Sequence, residues 1–264
     1  MATDWRQEQV SVGGVTVALR EKGEGPPLVV LHGEEVGRQV LPFHESLAEQ
    51  FRVLIPSLPG VGGSELPEWV ESVDDLAYIF LDLVEQLNLG EVNLLGSGFG
   101  GWVAAEMAVR SQSHLQKLIL ADCVGIKISD PWVRDIADIF VLSYDEWIRL
   151  TWHDPAGAKK MKAPGAPDLS HEELLKVLRD RQTVLMLGWR PFMHNPKLRR
   201  RLARIKVPTL VVWGESDRVV TPEYGRAYHE AISGSRFSLI PRAGHYPHIE
   251  QPGEFVRAVT EFLL

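Results

Sequence analysis

Short apolar runs alternate with longer amphipathic stretches along most of the chain. Pro27–Leu31, Val53–Ile55, Val92–Leu95, Lys117–Ala121, Thr209–Val212 and Phe237–Ile240 are rich in Val, Leu and Ile and read as strands. Several are apolar without the alternation of a half-exposed strand, which suits strands covered on both faces. Between them, Val73–Leu87, Trp102–Arg110, Pro222–Ile232 and Gly253–Leu263 carry apolar residues at helical spacing. The strand-helix-strand order predicts an α/β fold, a mostly parallel central sheet flanked by helices. Glu8–Leu19, broken by Gly13-Gly14, reads as an antiparallel hairpin leading in. There is no internal repeat and no low-complexity segment.

The alternation lapses between about residues 125 and 206, where the pattern is helical and the run Lys162-Ala-Pro-Gly-Ala-Pro breaks it. A strand-free stretch inside an α/β chain predicts a helical cap over one edge of the sheet. The expected division is therefore a core of residues 1–124 and 207–264 and a cap, or lid, of residues 125–206. Trp132, Trp147, Trp152 and Trp189, four of the eight tryptophans, fall in that stretch. Aromatics there pack cap to core, and with Phe192 they are the candidates to wall a substrate cleft beneath it.

A length of 264 residues allows one large α/β domain with a modest insertion and excludes two full-sized enzyme domains. With 45% hydrophobic and 24% charged residues the chain lies far from the signature of disorder. The 28 basic residues against 35 acidic ones give a net charge of −7, which argues against a nucleic-acid partner; a small-molecule substrate is expected. The triplet Arg199-Arg200-Arg201 reads as the solvated face of a helix. Cys123 is the single cysteine, so an intrachain disulfide and a thiolate metal cluster are both excluded. Neither a signal-like N-terminus nor a stretch of spanning length is visible, so a cytoplasmic protein without membrane contact is expected. No cofactor and no metal is expected, and the oligomeric state is not legible.

The run Gly96-Ser97-Gly98-Phe99-Gly100-Gly101 follows a strand and opens a helix. In that context it resembles the nucleophile elbow, G-x-S-x-G, of the α/β-hydrolase family. Gly98 stands at the central position, and glycine has no atom that attacks a carbonyl. Shifting the motif so that Ser97 is central would put Leu95 and Phe99 where the turn needs no side chain, so Ser97 is read as the residue before the nucleophile. Farther on, Trp213-Gly-Glu-Ser-Asp217 and Pro241-Arg-Ala-Gly-His245 place an acid and a histidine after successive strands. Their order resembles the family's nucleophile, acid, histidine sequence, and the resemblance covers nearly the whole chain. It implies that Asp217 accepts the Nδ1–H of His245 and leaves Nε2 facing the space over Gly98, which water or ligand would fill. His248, three residues beyond, is read as supporting structure.

Leu31-His-Gly-Glu-Glu35 resembles the family's His-Gly segment, and the resemblance implies an oxyanion hole made by the backbone amides of Glu34 and Phe99. The side chains of Glu34 and Glu35 depart from the small or apolar residues common there; the sequence leaves open whether they are solvated or point into the cleft. Ile55–Ser64 resembles the family's Pro/Gly-rich loop, with Ser57 and Ser64 structural. Arg190, in Trp189-Arg-Pro-Phe192, is the candidate anchor for a substrate carboxylate, against an equally good reading as a packing residue. Two explanations of Gly98 compete. Either glycine replaced a serine in an otherwise intact ester-hydrolase site, which we favour, or the chain has left serine catalysis and keeps its Asp–His pair as a general base or ligand site. Hydrolysis of a C–C bond in a ring-cleavage product is the alternative chemistry, and a non-catalytic ligand-binding protein the alternative class.

Overall fold

The computed structural model describes residues 4–34, 39–160 and 169–264. Eight strands form one sheet: β1 (Arg6–Val12), β2 (Val15–Lys22), β3 (Pro27–Leu31), β4 (Arg52–Pro56), β5 (Val92–Ser97), β6 (Leu115–Ala121), β7 (Thr209–Gly214) and β8 (Arg236–Ile240). Their spatial order is β1-β2-β4-β3-β5-β6-β7-β8. β1 and β2 form the expected antiparallel hairpin, β2 joins β4 antiparallel, and every later pairing is parallel.

The unalternating apolar strands are explained by what covers them. Val29, Leu31, Leu54, Leu94, Leu118, Leu120 and Val211 belong to one buried cluster with helices α2 (Val73–Gln86), α3 (Gly98–Arg110) and α7 (Pro222–Ala231). Their neighbours Leu28, Val30, Val53, Ile55, Leu95, Ile119 and Val212 face the other way, into a cluster with α1 (Pro42–Ala48) and α9 (Pro252–Leu263). Side chains alternate across a strand, so a strand packed on both sides must be apolar at every position. α2 starts where the pattern predicts, with Ser72 accepting from the Asp75 amide. α3 starts four residues before its apolar periodicity, at Gly98, because glycines open it. α1 was not foreseen: its seven residues are too short for a periodic signal.

Between β6 and β7 the described residues hold α4 (Tyr144–Thr151), α5 (His171–Leu187), α6 (Leu198–Arg201) and short 3-10 turns, with one isolated bridge from Gly125 to His194 and no strand. Arg199–Arg201 lie on α6, where Arg199 donates to the Ile128 carbonyl. The run from Lys162 to Pro167, and Glu35, lie outside the described residues. A last short helix, α8 (Pro247–Glu250), precedes α9. Among the described residues no helix is long and apolar enough to cross a membrane.

Candidate active site

The loops at the C-terminal ends of β3, β5, β7 and β8 converge, and the β5–α3 turn fixes the centre. A Cβ on Gly96 would lie 2.7 Å from the Gly101 Cα, and one on Gly100 would lie 2.7 Å from the Leu31 carbonyl carbon, so side chains are excluded where strand turns into helix. Gly98 itself has φ +49°, in the left-handed region. Ser97 ends β5, buried.

The loop after β7 carries Asp217. Its Oδ1 accepts the amides of Val219 (2.8 Å) and Val220 (3.2 Å), and Oδ2 lies 2.8 Å from His245 Nδ1. An ionised carboxylate only accepts, so Nδ1 carries hydrogen. His245 is pinned through its own amide, which donates to the Thr151 carbonyl at 2.7 Å. The preceding Gly244 amide donates to Glu250 Oε1 at 2.6 Å, and Glu250 also accepts the amides of His153 and Asp154. Thr151 and these two residues belong to the segment between β6 and β7, so that segment is stitched to the histidine loop by backbone bonds.

The space over Gly98 is not left to water or ligand, as the sequence reading had it. The Glu34 carboxylate fills it. Oε2 lies 2.5 Å from where a Cβ on residue 98 would be and accepts the Phe99 amide at 3.1 Å, while Oε1 lies 2.7 Å from His245 Nε2. The Phe99 amide, the expected oxyanion donor, is thus engaged by the Glu34 side chain, whose direction the sequence leaves open. Sequence separation hid this, since Glu34 and His245 are 211 positions apart. Below Glu34, His32 shapes the loop: its Nδ1 lies 2.8 Å from the Gly33 carbonyl and its Nε2 accepts the Leu58 amide at 3.1 Å.

An imidazole between two carboxylates needs hydrogen on both nitrogens. Burial disfavours that charge, but Asp217 and Glu34 outweigh it and hold the His245 pKa well above the ordinary histidine range. A third buried acid, Asp122, follows β6 with φ +46° and accepts the Gly214 amide at 2.8 Å through Oδ1. Burial, and then the charge of Asp217, push its carboxyl well above the usual range, so it tends to keep its proton. Sequence reading missed it; an acid at the end of an apolar strand was its only signal. Ser64 is structural, accepting the Ala18 amide and donating to the Ser57 carbonyl, and His248 packs edge-on against Phe43.

Among the described residues, the expected aromatic wall is not assembled around Gly98. Trp132 is 97% exposed, and with Phe192, Lys127, Ile136 and His194 it lines a separate cavity of about 230 Å³. Trp189 is 51% exposed and meets Phe192 edge to face, and Arg190 is exposed, its cis peptide leading into Pro191. Trp147 and Trp152 are buried and reach the site only at one remove, through Tyr246, whose ring lies 5.1 Å from that of His245. Trp132 and Trp189 both lie in turns outside the helices, so no helical pattern marks which way they face. Arg181 on α5 carries a half-buried guanidinium that feels Glu34: it donates to the Ile139 carbonyl, and its pKa is lowered by burial, which Tyr246 and Glu34 only partly offset.

Residues 28–258 match the Alpha/beta hydrolase family, and the chain belongs to it. It is 26% identical over 276 residues to a 2-hydroxy-6-oxo-2,4-heptadienoate hydrolase of Pseudomonas putida, covering 96% of this chain and 95% of that one. It is 24% identical over 262 residues to a pimeloyl-(acyl-carrier protein) methyl ester esterase of Nitrosospira multiformis, covering 95% and 99%. A meta-cleavage product hydrolase from Pseudomonas fluorescens superposes with a TM-score of 0.77 at 19% identity, covering 97% of each chain. The protein is therefore a hydrolase-superfamily member whose relatives include both esterases and C–C bond hydrolases.

Proposed function

We infer that this protein carries a carboxylic-ester hydrolase site whose acyl-enzyme route is closed at Gly98, with Asp217 and His245 as the proton-transfer pair and the amides of Phe99 and Glu34 as the oxyanion donors. The observation that carries the reading is the convergence of His245 Nε2 and the Phe99 amide on one spot over Gly98, now taken by the Glu34 carboxylate. That spot is where a serine oxygen would need both a base and an anion-stabilising donor. The helical segment between β6 and β7 serves as the cap. The esterase among the relatives supports the ester chemistry.

A serine at position 98 collides with Glu34 unless the carboxylate swings away, and a side-chain end can do so at small cost. The test is turnover of p-nitrophenyl esters by the parent, by Gly98→Ser and by Gly98→Ser/Glu34→Ala. The parent is expected to be inactive and the double variant to gain the most. Loss of a triad serine commonly costs about six decades in rate, so the gain should span several orders of magnitude. A folded double variant as inactive as the parent would sink the reading and leave a ligand-binding protein.

The C–C hydrolase alternative draws on the heptadienoate hydrolase relative and on Arg181, a half-buried guanidinium suited to a substrate carboxylate. Arg181→Ala in the double variant should then impair carboxylate-bearing dienones and spare neutral esters, whereas the exposed Arg190 should affect neither. Equal effects of Arg181→Ala on both substrates would remove that alternative.

A further inference from the structure

Serine chemistry has no use for Glu34, yet Glu34 is bound at the reacting point by both groups that would serve a serine. Its two oxygens are made unequal. Oε2 rests on the Phe99 amide at the N-terminus of α3, and Oε1 lies against His245 Nε2. The side chain is only 5% exposed, so most of the water that would blunt a carboxylate is stripped away.

We propose that Glu34 is itself a nucleophile and that the protein opens epoxides to vicinal diols through a covalent ester on Glu34. The proposal rests on the reading of Asp217 and His245 as the proton-transfer pair, but not on ester hydrolysis. Carboxylates form productive covalent intermediates at saturated carbon. Against a carboxylic ester, by contrast, Glu34 would have to expel an alkoxide far more basic than itself, and the adduct would revert. Among saturated electrophiles the site favours one whose leaving atom needs a proton, because a doubly protonated imidazole lies beside the attacking oxygen. A strained cyclic ether meets that requirement; a halide leaves without a proton and gains nothing from it.

The steps balance. Oε1 attacks a ring carbon, the C–O bond breaks, and its electron pair goes to the ring oxygen, which takes the Nε2 proton of His245. The products are a glycol monoester of Glu34 and a neutral imidazole. Water then attacks the ester carbonyl carbon and gives its proton to Nε2, while the charge gathering on Oε2 falls on the Phe99 amide already bound to it. Collapse expels the glycol oxygen, which takes that proton, and the acid formed on Glu34 returns its proton to the imidazole. The sum is epoxide plus water giving diol.

The test uses the full chain, in excess over styrene oxide, in water labelled with the heavy oxygen isotope, followed by mass spectrometry of the diol and of the peptide containing Glu34. One turnover should put the label in the Glu34 carboxylate and leave the diol unlabelled. His245→Gln should hold the ester, seen as one styrene oxide mass on the same peptide. Label in the diol and none in Glu34 would mean direct attack by water and would overturn the proposal, as would an adduct on another acid or neither diol nor adduct. Glu34→Gln, which keeps an acceptor for the Phe99 amide, should lose both label and adduct while still unfolding in one cooperative thermal transition. If that variant unfolds, labelling in the parent alone decides the matter. The ester assays on serine variants lacking the Glu34 charge test the earlier reading separately, so the two can fail independently.

Discussion

On one side of His245, Asp217 is held by backbone: two amides grip one of its oxygens, and the loop bearing the histidine is tied to the Thr151 carbonyl and to Glu250. On the other side, Glu34, three residues beyond β3, is held among the described residues by the Phe99 amide and by the imidazole itself. Both carboxylates are buried and both lie under 3 Å from a ring nitrogen. The difference lies in what remains when each is removed. Without Asp217, two amides and a charged ring lose their acceptor in the interior. Without Glu34, one amide and one N–H are freed beside a loop. The Asp217 side is scaffold, and the Glu34 side is an adjustable occupant.

The largest effect should therefore come from Asp217→Ala. Removing one partner of a buried pair typically costs about 3–5 kcal/mol, and chemical denaturation at neutral pH should show a loss of that size. Glu34→Ala in the same assay should cost about 1–3 kcal/mol, the usual range for a buried group that loses its partner. Equal losses would break the contrast and make Glu34 as much a part of the scaffold as Asp217.

A smaller effect separates the two sides through pH. The His245 pKa is raised in the folded state, against burial, by Asp217 and Glu34. A raised folded pKa means that the stabilisation is fully present below the unfolded value of about 6.5 and is lost as pH rises through the folded value. Glu34→Gln keeps the shape and removes one of the two charges. The imidazole should then titrate lower, and the alkaline loss of stability, which starts at the unfolded value in both proteins, should be smaller and complete at a lower pH. Nitrogen-resolved NMR of His245 reads the first and denaturation across pH the second. An unchanged titration would show that Asp217 alone holds the proton.

The same contrast explains what could be read from the chain before folding. The central strands were legible because burial on both faces demands apolar residues throughout, as in Leu28–Leu31 and Leu118–Ala121. Asp217 and His245 were legible as an order of loops, and β7 and β8 are indeed neighbours. What depends on where a side chain points was not legible. Glu34 was assigned by its backbone, and nothing local tells its carboxylate to reach His245. Trp132 and Trp189 were assigned by residue type, and solvent received them. Arg181 sits in Asp180-Arg-Gln182, polar positions of an amphipathic helix, with no mark to separate it from a solvated arginine. Asp122 left only the faint trace of an acid closing an apolar strand.

Asp122, replaced by asparagine in acid solution, yields the smallest expected effect and a check on the whole buried cluster. Its folded pKa is raised by burial and then by Asp217, with His245 pulling the other way. By the same sign, stability falls as pH climbs from the unfolded value of about 3.9 through the folded one, where a buried acid must give up its proton. Asparagine mimics the protonated acid. It keeps an oxygen for the Gly214 amide and tolerates the left-handed backbone that Asp122 adopts. Asp122→Asn should therefore change stability by no more than about 0.5 kcal/mol near the unfolded value of about 3.9, as for a substitution that breaks no contact, and should become progressively the more stable as pH climbs above it. At alkaline pH it should be the more stable of the two, because it has no proton to lose. Asp122→Ala separates charge from geometry. It strands the buried Gly214 amide, at about 1–3 kcal/mol, and puts a Cβ-bearing residue without a polar side chain at φ +46°, at about a further 1 kcal/mol. Denaturation of both variants at several pH values measures this. If asparagine cost as much as alanine in mildly acidic solution, Asp122 would be ionised in the folded protein, and the imidazolium would be balanced by three carboxylates instead of two.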